Sequence, residues 1–391
     1  MKVLMINSVC GIGSTGRICA DIAERLTADG HECKIAYGRK GYVPEQALPY
    51  AKRIGTDFDV KIHGLLTRLF DAHGFGSRRA TQQFVKWMKE YDPDIIHLHN
   101  LHGYYLHVGV LFEALKAMNK PVVWTLHDCW AFTGHCSHFT AAKCDRWKTQ
   151  CHDCLEKRRY PASMLLDRCK YNYTHKKGSF SGVANLTIVT PSCWLSELTK
   201  LSFLKEYPVM VIPNGIDTSA FHATKSNFRE RYRLEGKKIV LGVAGIWDDR
   251  KGLSDMVQLT QLLGDDCKVV IVGLSPAQKE ALPESVLGIT HTESIKELAE
   301  IYTAADVFVN PTYEDTYPTV NLEAQACGTP VITYRTGGSV ESAHSDCVVE
   351  PGDIAEIAKI IKSDAAKCRE GLQLNCKKMV QQYLELYKGL I

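Results

Sequence analysis

Residues 310–330 read NPTYEDTYPTVNLEAQACGTP, and their pattern decides the architecture. The apolar run before them, 305–309, reads as a short buried strand. Residues 321–326 read as the first turns of a helix, closed by Gly328 and Pro330. Asp315 and Glu323 have seven residues between them, and Glu314 and Glu323 have eight. The acids therefore fall between the carboxyl end of a strand and the start of a helix, where open α/β sheets bind ligands. Free N–H groups and partial positive charge at such a helix start suit anionic or hydroxyl-rich ligands. The plainer alternative is a solvated acidic loop, with Glu323 only a first-turn acid complementing the helix dipole.

Outward from this stretch the same grammar repeats. Short apolar runs at 2–8, 33–37, 95–99, 122–126, 186–190 and 209–212 alternate with stretches of helical spacing, such as 15–29. The pattern restarts at 238–244, 267–272, 307–309 and 331–333. Repeated β-α units in both halves predict two parallel-sheet domains. The turn Pro213-Asn214-Gly215-Ile216-Asp217 is the natural linker, giving domains 1–216 and 217–375. The tail 376–387 is amphipathic and helical.

Three loops after strands carry further chemistry. Gly11-Ile12-Gly13-Ser14-Thr15-Gly16 follows the first strand and opens a helix, as a diphosphate cradle does. A dinucleotide site would also need an acid after the second strand, but that strand ends Ala36-Tyr37-Gly38-Arg39-Lys40. A nicotinamide-dependent oxidoreductase is therefore a minor alternative, as is a tight turn with no ligand. Gly245-Ile246-Trp247-Asp248-Asp249-Arg250-Lys251-Gly252 sets two cations at the end of the first strand of the second half; the bland reading is a basic turn balanced by Asp248 and Asp249. His127 ends another strand, and His99, Asn100, His102 and Tyr105 crowd a neighbouring one. Aromatic faces with polar tips suit a sugar, although a histidine at a strand end is often only a satisfied polar group.

The block 310–330, with Glu323 followed by Ala-Gln-Ala-Cys-Gly-Thr-Pro-Val-Ile, resembles the Glu-x7-Glu signature of retaining, nucleotide-sugar-dependent glycosyltransferases of the GT-B fold, family 4. Pro191-Ser192, Asn214-Gly215-Ile216-Asp217 and 336–341 extend the resemblance over nearly the whole chain. It implies two Rossmann-like domains facing across a deep cleft, with the C-terminal helix 376–391 crossing back to the first. It implies that Glu323 holds the nucleotide ribose and that Glu314 or Asp315, together with His127, faces the donor sugar. Glu314 is the preferred candidate, although strict spacing lands on Asp315. Lys251 matches the family's diphosphate-binding lysine. Ile246 stands where the family has an arginine, and Arg250 is the candidate replacement. Gly11, Gly13, Gly16, Thr319 and Val320 fall on the donor side. Arg17, His99, Asn100, His102 and Tyr105 fall on the acceptor side. The implied activity moves a sugar from a UDP- or GDP-sugar to a glycan or lipid-linked glycan in bacterial surface polysaccharide synthesis, with no cofactor required. The missing arginine leaves a catalytically silent sugar- or nucleotide-binding protein as the alternative.

At 391 residues, 45% hydrophobic and 23% charged, the chain has the composition of an ordinary globular protein with room for two cores. No apolar run approaches a bilayer span, and the N-terminus lacks a signal-peptide pattern, so a cytoplasmic protein is expected. The net charge of +3 hides an asymmetry: 28 Lys and Arg face 19 Asp and Glu through residue 216, against 19 and 25 beyond it. The basic half suits an anionic partner, such as the inner face of the cell membrane. No nucleic-acid motif is present. Fifteen cysteines are many, and six of them lie within 129–169. Cys136, Cys144, Cys151 and Cys154 could clip this polar insert with a structural zinc; packed thiols and a disulfide are the other uses.

Overall fold

The computed structural model describes every residue except Lys40, Glu370 and Gln373. The described chain divides into two compact units, Met1–Pro213 with Met379–Ile391, and Asn214–Lys378.

The first unit holds strands β1 (Lys2–Asn7), β2 (Glu32–Tyr37), β3 (Ala51–Arg53), β4 (Ile95–Leu98), β5 (Val122–Thr125), β6 (Leu186–Thr190) and β7 (Val209–Val211), in the order β3-β2-β1-β4-β5-β6-β7. Every pair is parallel. β4, β5 and β6 are buried along their whole length, as strands covered on both faces must be. That burial explains why their sequences are apolar runs rather than alternating ones.

The second unit holds β8 (Lys238–Val243), β9 (Cys267–Val272), β10 (Val286–Ile289), β11 (Val307–Asn310), β12 (Val331–Tyr334) and β13 (Val348–Val349), in the order β10-β9-β8-β11-β12-β13. It too is parallel throughout. Both sheets reverse strand order beside their first strand, which opens a crevice at the carboxyl edge. β3, β10 and β13 lie at the edges of the sheets and were not expected from the sequence. β3 is a half-buried Ala-Lys-Arg, β13 has two residues, and β10 carries a glycine; none offers an apolar run long enough to read.

The helix Cys376–Lys388 returns the chain to the first unit, burying Met379, Val380, Tyr383, Leu384 and Tyr387. Its docking is also polar. Tyr387 Oη lies 2.6 Å from His97 Nδ1, and His97 Nε2 lies 2.7 Å from Thr125 Oγ1. Thr125 Oγ1 in turn meets Tyr383 Oη at 3.0 Å. A chain of hydrogen bonds inside a dry core fixes the helix register, because each bond lost strands a buried polar group.

The first unit buries many histidines. Burial pushes His63 and His127 down to about 4 and holds His73, His97 and His99 well below the usual range. Neutral His63 is what its bonds require: its Nε2 accepts from the Gly74 and Gly76 N–H groups at 3.3 and 3.2 Å. His135 runs the other way: burial opposes its charge, but the carboxylate of Asp71, 2.5 Å away, raises it. For a group depressed in the folded chain, the unfolded chain binds protons first, so stability falls once pH drops through the unfolded value of 6.5. At pH 5 this amounts to on the order of 1–2 kcal/mol for each such histidine. The melting temperature at pH 5 is expected to lie at least about 5 °C below that at pH 7.5. Calorimetry showing equal or higher melting temperature at pH 5 would contradict the buried neutral cluster.

Candidate active site

In the second unit the site is built on the carboxyl ends of β8 and β11. After β8 the chain turns through Asp248, whose side chain caps the short helix Asp249–Lys251 by accepting the Lys251 N–H. Gly252 then takes φ 71°, and a Cβ there would sit 2.2 Å from the carbonyl oxygen of Pro311. Only glycine permits this approach, which presses the loop after β8 against the loop after β11. Backbone bonds fix the match: Tyr313 N–H donates to the Arg250 carbonyl at 2.8 Å, and Arg250 Nη1 donates to the Glu314 carbonyl at 3.0 Å.

This register brings Lys251 Nζ to 2.5 Å from Asp315 Oδ2, with both side chains largely buried. Asp315 Oδ1 also accepts the Tyr317 N–H at 3.2 Å. Its carbonyl receives the Gly338 N–H at 3.0 Å. Gly337, at φ 49°, leaves no room for a Cβ beside that same carbonyl, 2.0 Å away. The neighbouring acid differs. Glu314 is 3% exposed, and its backbone is what Arg250 holds. The two acids thus face different surroundings: the strict-spacing residue Asp315 takes the lysine, and Glu314 turns inward.

The helix Thr319–Ala326 starts after Pro318, with no side-chain cap and no acid in its first turn. Its first turn, with Thr319 and Val320, leaves backbone donors for a ligand. Glu323 lies in the second turn and is buried, accepting from Tyr302 Oη at 3.1 Å. It is therefore not a first-turn acid serving the helix dipole. Asn321 was missed from the sequence. It is fully buried, accepts from Asn310 Nδ2 at 2.8 Å and donates to Ser342 Oγ at 2.9 Å. It ties β11, this helix and the helix Ser339–Ala343 together. Asp255 was also missed. It is buried and accepts from the hydroxyls of Tyr313 and Tyr334, each at 2.7 Å, bracing the loop that carries Glu314. Ile246 is 75% exposed, so the family's arginine position carries an apolar side chain with nothing packed over it.

The first unit has its own polar edge. Gly11 (φ 70°) and Gly13 (φ 63°) turn the chain from β1 into the helix Gly13–Ala28. That helix start has no side-chain cap and no acid, so its donors are open to an anion, worth about 0.3–2 kcal/mol. Gly16 is buried against Val9, and Arg17 is exposed. His127, half-buried after β5, meets His99 after β4, with Nε2 and Nδ1 3.0 Å apart. His102 bonds Asp128 at 2.7 Å and Tyr160 at 3.0 Å. Burial works against the charge of Asp128, but His102 and neighbouring donors hold it down at about 2. Asn100 is half-buried. Tyr105 does not join this edge. It is 1% exposed, donates to the Asn100 carbonyl at 2.8 Å and packs in the core over Gly38, so it supports the loop from beneath and has no surface for an acceptor.

The cysteine insert is a packing element. All fifteen cysteines are free thiols. Cys136, Cys151 and Cys169 belong to the hydrophobic core, with Cys144 and Cys154 packed against it. The Cys136 thiol bonds Cys154, and Cys151 Sγ accepts the Gly134 N–H at 3.2 Å. Among the described residues no group of three or more His, Cys, Asp or Glu is arranged to hold a metal ion. Of the four cysteines expected to bind zinc, Cys136 and Cys151 are buried in the core, and Cys144 and Cys154 are half-buried against it.

Residues 15–220 match the model of Glycosyltransferase Family 4. The chain belongs to that family. Residues 237–363 match the model of Glycosyl transferases group 1, so glycosyltransferase models cover both units and the protein is a glycosyltransferase. It is 25% identical to WcaC of Escherichia coli K12, a candidate colanic acid biosynthesis glycosyl transferase, over the whole of both chains. It is 24% identical to a GDP-mannose-dependent alpha-mannosyltransferase of Corynebacterium glutamicum, covering 82% of this chain and 68% of that one. The structure of Anabaena Alr3699/HepE in complex with UDP superposes over the full length of both chains with a TM-score of 0.70 at 15% identity. The glycosyltransferase therefore has the GT-B fold expected from its sequence.

Exchange of the two acids separates their roles. Asp315→Asn removes the partner of Lys251, whereas Glu314→Gln keeps a buried side chain of the same size. Loss of a preorganised charge contact costs ~10²–10³ in rate. If Glu314 faces the sugar, Glu314→Gln falls by that factor in a transfer assay and Asp315→Asn keeps more activity than it; the reverse ranking assigns the sugar to Asp315.

Proposed function

We propose that this glycosyltransferase moves a sugar from a UDP- or GDP-sugar to a glycan or lipid-linked glycan, with retention at the anomeric carbon, in bacterial surface polysaccharide synthesis. The observation that carries the reading is the Lys251–Asp315 pair, held at the carboxyl ends of β8 and β11 beside a helix start with open donors. A cation already fixed at a strand end is what a leaving diphosphate needs. In the proposed step the bond from the anomeric carbon to the diphosphate oxygen breaks, and its electron pair stays on the diphosphate. Lys251, exchanging Asp315 for phosphate, stabilises that charge, with Arg250 and backbone donors in support. The acceptor hydroxyl then bonds to the anomeric carbon on the same face, and its proton passes to the departing phosphate oxygen. Glu323 holds the ribose, and His127, neutral at pH 7, offers the donor sugar a hydrogen bond rather than a charge. In this reading no metal takes part, because the cationic groups fill that role.

The nucleotide preference draws on two relatives, one bound to UDP and one named for GDP-mannose. The relatives' polysaccharide assignments support the acceptor class. Among the described residues no helix is long and apolar enough to cross a membrane, and action at the inner face of the cell membrane is part of the proposal. The exposed Ile246 favours one second reading: a protein that binds the nucleotide sugar without turning it over.

A thermal-shift panel of UDP-, GDP- and ADP-sugars is expected to show stabilisation by a uridine or guanosine donor and none by the adenosine one. The product's anomeric coupling in NMR should match that of the donor. Lys251→Ala should lose ~10²–10³ in kcat/KM while the protein stays folded by circular dichroism. A donor that binds without product favours the silent reading; inversion at the anomeric carbon removes the proposed step.

A further inference from the structure

The helix Asp57–Phe70 carries apolar side chains on its exposed side. Its fully buried residues are His63 and Thr67, both polar, with Val60 packed against the core beside them. Its exposed side carries Phe58, Ile62 and Leu65, at 70%, 42% and 56% exposure. These sit at i, i+4 and i+7, so they form one stripe. The helix does not depend on that stripe for its place. His63 bonds Gly74, Gly76 and Ser77, Thr67 Oγ1 donates to the His63 carbonyl, and a capping box of Thr56 and Asp59 closes the N-terminus.

A second exposed apolar segment is stitched beside it. Met164 N–H donates to the Arg68 carbonyl at 2.7 Å, and Leu166 N–H to the Leu69 carbonyl at 3.2 Å. Arg168 N–H donates to the buried carboxylate of Asp71 at 2.8 Å, and Asn172 to the Asp71 carbonyl at 2.7 Å. Asp167 accepts the Cys154 and Cys169 N–H groups, so the cysteine insert braces the segment from behind. The result is a fixed strap whose Met164, Leu165 and Leu166 are 70%, 63% and 48% exposed. The strap is joined to the last turn of the helix, so two neighbouring segments each expose several large apolar side chains.

The charges around this face select its partner. Lys61 and Arg68 stand exposed on the same helix, and Arg158 is exposed in the turn joined to the strap through Ser163 N–H and the Lys157 carbonyl. The nearby acids are engaged: Asp57 pairs with Arg53, Asp59 serves the cap, and Asp167 takes two backbone donors. An apolar stripe flanked by cations with its acids occupied matches an anionic lipid surface, where apolar side chains enter the acyl boundary and cations meet headgroups. We infer that the Asp57–Phe70 helix and the 164–166 strap are the surface by which the enzyme lies on an anionic membrane. The inference stands on this surface, and rests on the proposed lipid-linked acceptor only for its use.

The full-length protein should co-sediment with vesicles of phosphatidylglycerol and phosphatidylcholine, and less with phosphatidylcholine alone. Phe58→Ser with Leu65→Ser should weaken binding to both by ~tenfold or more. Lys61→Ala with Arg68→Ala should remove the preference for anionic vesicles. Circular dichroism of each variant should match the parent, because all four side chains are exposed. Absence of binding by the parent, or equal binding by the Phe58/Leu65 variant, overturns the inference. So does a parent dimer in sedimentation equilibrium that this variant converts to monomer, which would assign the face to a second copy. Transfer to a water-soluble acceptor, measured without vesicles, should be unchanged in both variants. Failure of the parent in that assay counts against the proposed function and leaves the vesicle result standing.

Discussion

A parallel strand cannot pair with its successor through a tight turn. The chain must cross over, and every strand then ends at the same edge of its sheet. Both units obey this constraint without exception among their described pairs. Each chemically loaded loop follows directly from it. The glycine turn follows β1, His99 follows β4, His127 follows β5, Lys251 follows β8, and Glu314 and Asp315 follow β11. Within each unit, residues far apart in sequence are collected at one edge of its own sheet because the connections leave them nowhere else to go.

The constraint gathers the loops, and glycine decides how closely they fit. Gly252 against Pro311 and Gly337 against Asp315 are contacts that any side chain would block. Together they hold the loop of Asp315 between two backbones while Lys251 reaches it from the side. The ion pair owes its geometry to these approaches more than to its own attraction. A pair so placed in a partly dry setting is strongly directional, yet it can exchange one anion for another at modest cost.

What the sequence revealed follows the same division. Interior strands announce themselves as apolar runs, so β1, β2, β4 to β6, β8, β9, β11 and β12 were legible, and the edge strand β7 was read from its apolar Val-Met-Val. The edge strands β3, β10 and β13 escape because they are short, charged or interrupted by glycine. Motif spacing located Lys251, Asp315 and Glu323, but it could not tell that Asp315 and not Glu314 meets the lysine, since that depends on the pitch of a loop pressed between two glycines. Tyr105 was read as exposed because aromatic residues at a strand end look alike in sequence whether they face outward or prop up the loop above them. The cysteines carry two readings at once: their spacing suits a metal, and their burial suits small hydrophobes. The outward stripe of the Asp57–Phe70 helix has ordinary amphipathic spacing, and periodicity alone does not say which side faces water.

The last helix has a consequence for how the chain is made. His97 and Thr125 lie in the central strands of the first sheet, yet their hydrogen-bond partners, Tyr387 and Tyr383, are synthesised only after the second unit. Until these emerge, the first unit exposes one flank of its core and leaves two buried polar groups without their intended mates. The first sheet is thus completed by a helix that follows the second unit. Vectorial synthesis, which lets most N-terminal domains close early, is here held open across the whole of the second unit, and a chain cut short by even its last helix is marked as unfinished at the centre of its first sheet.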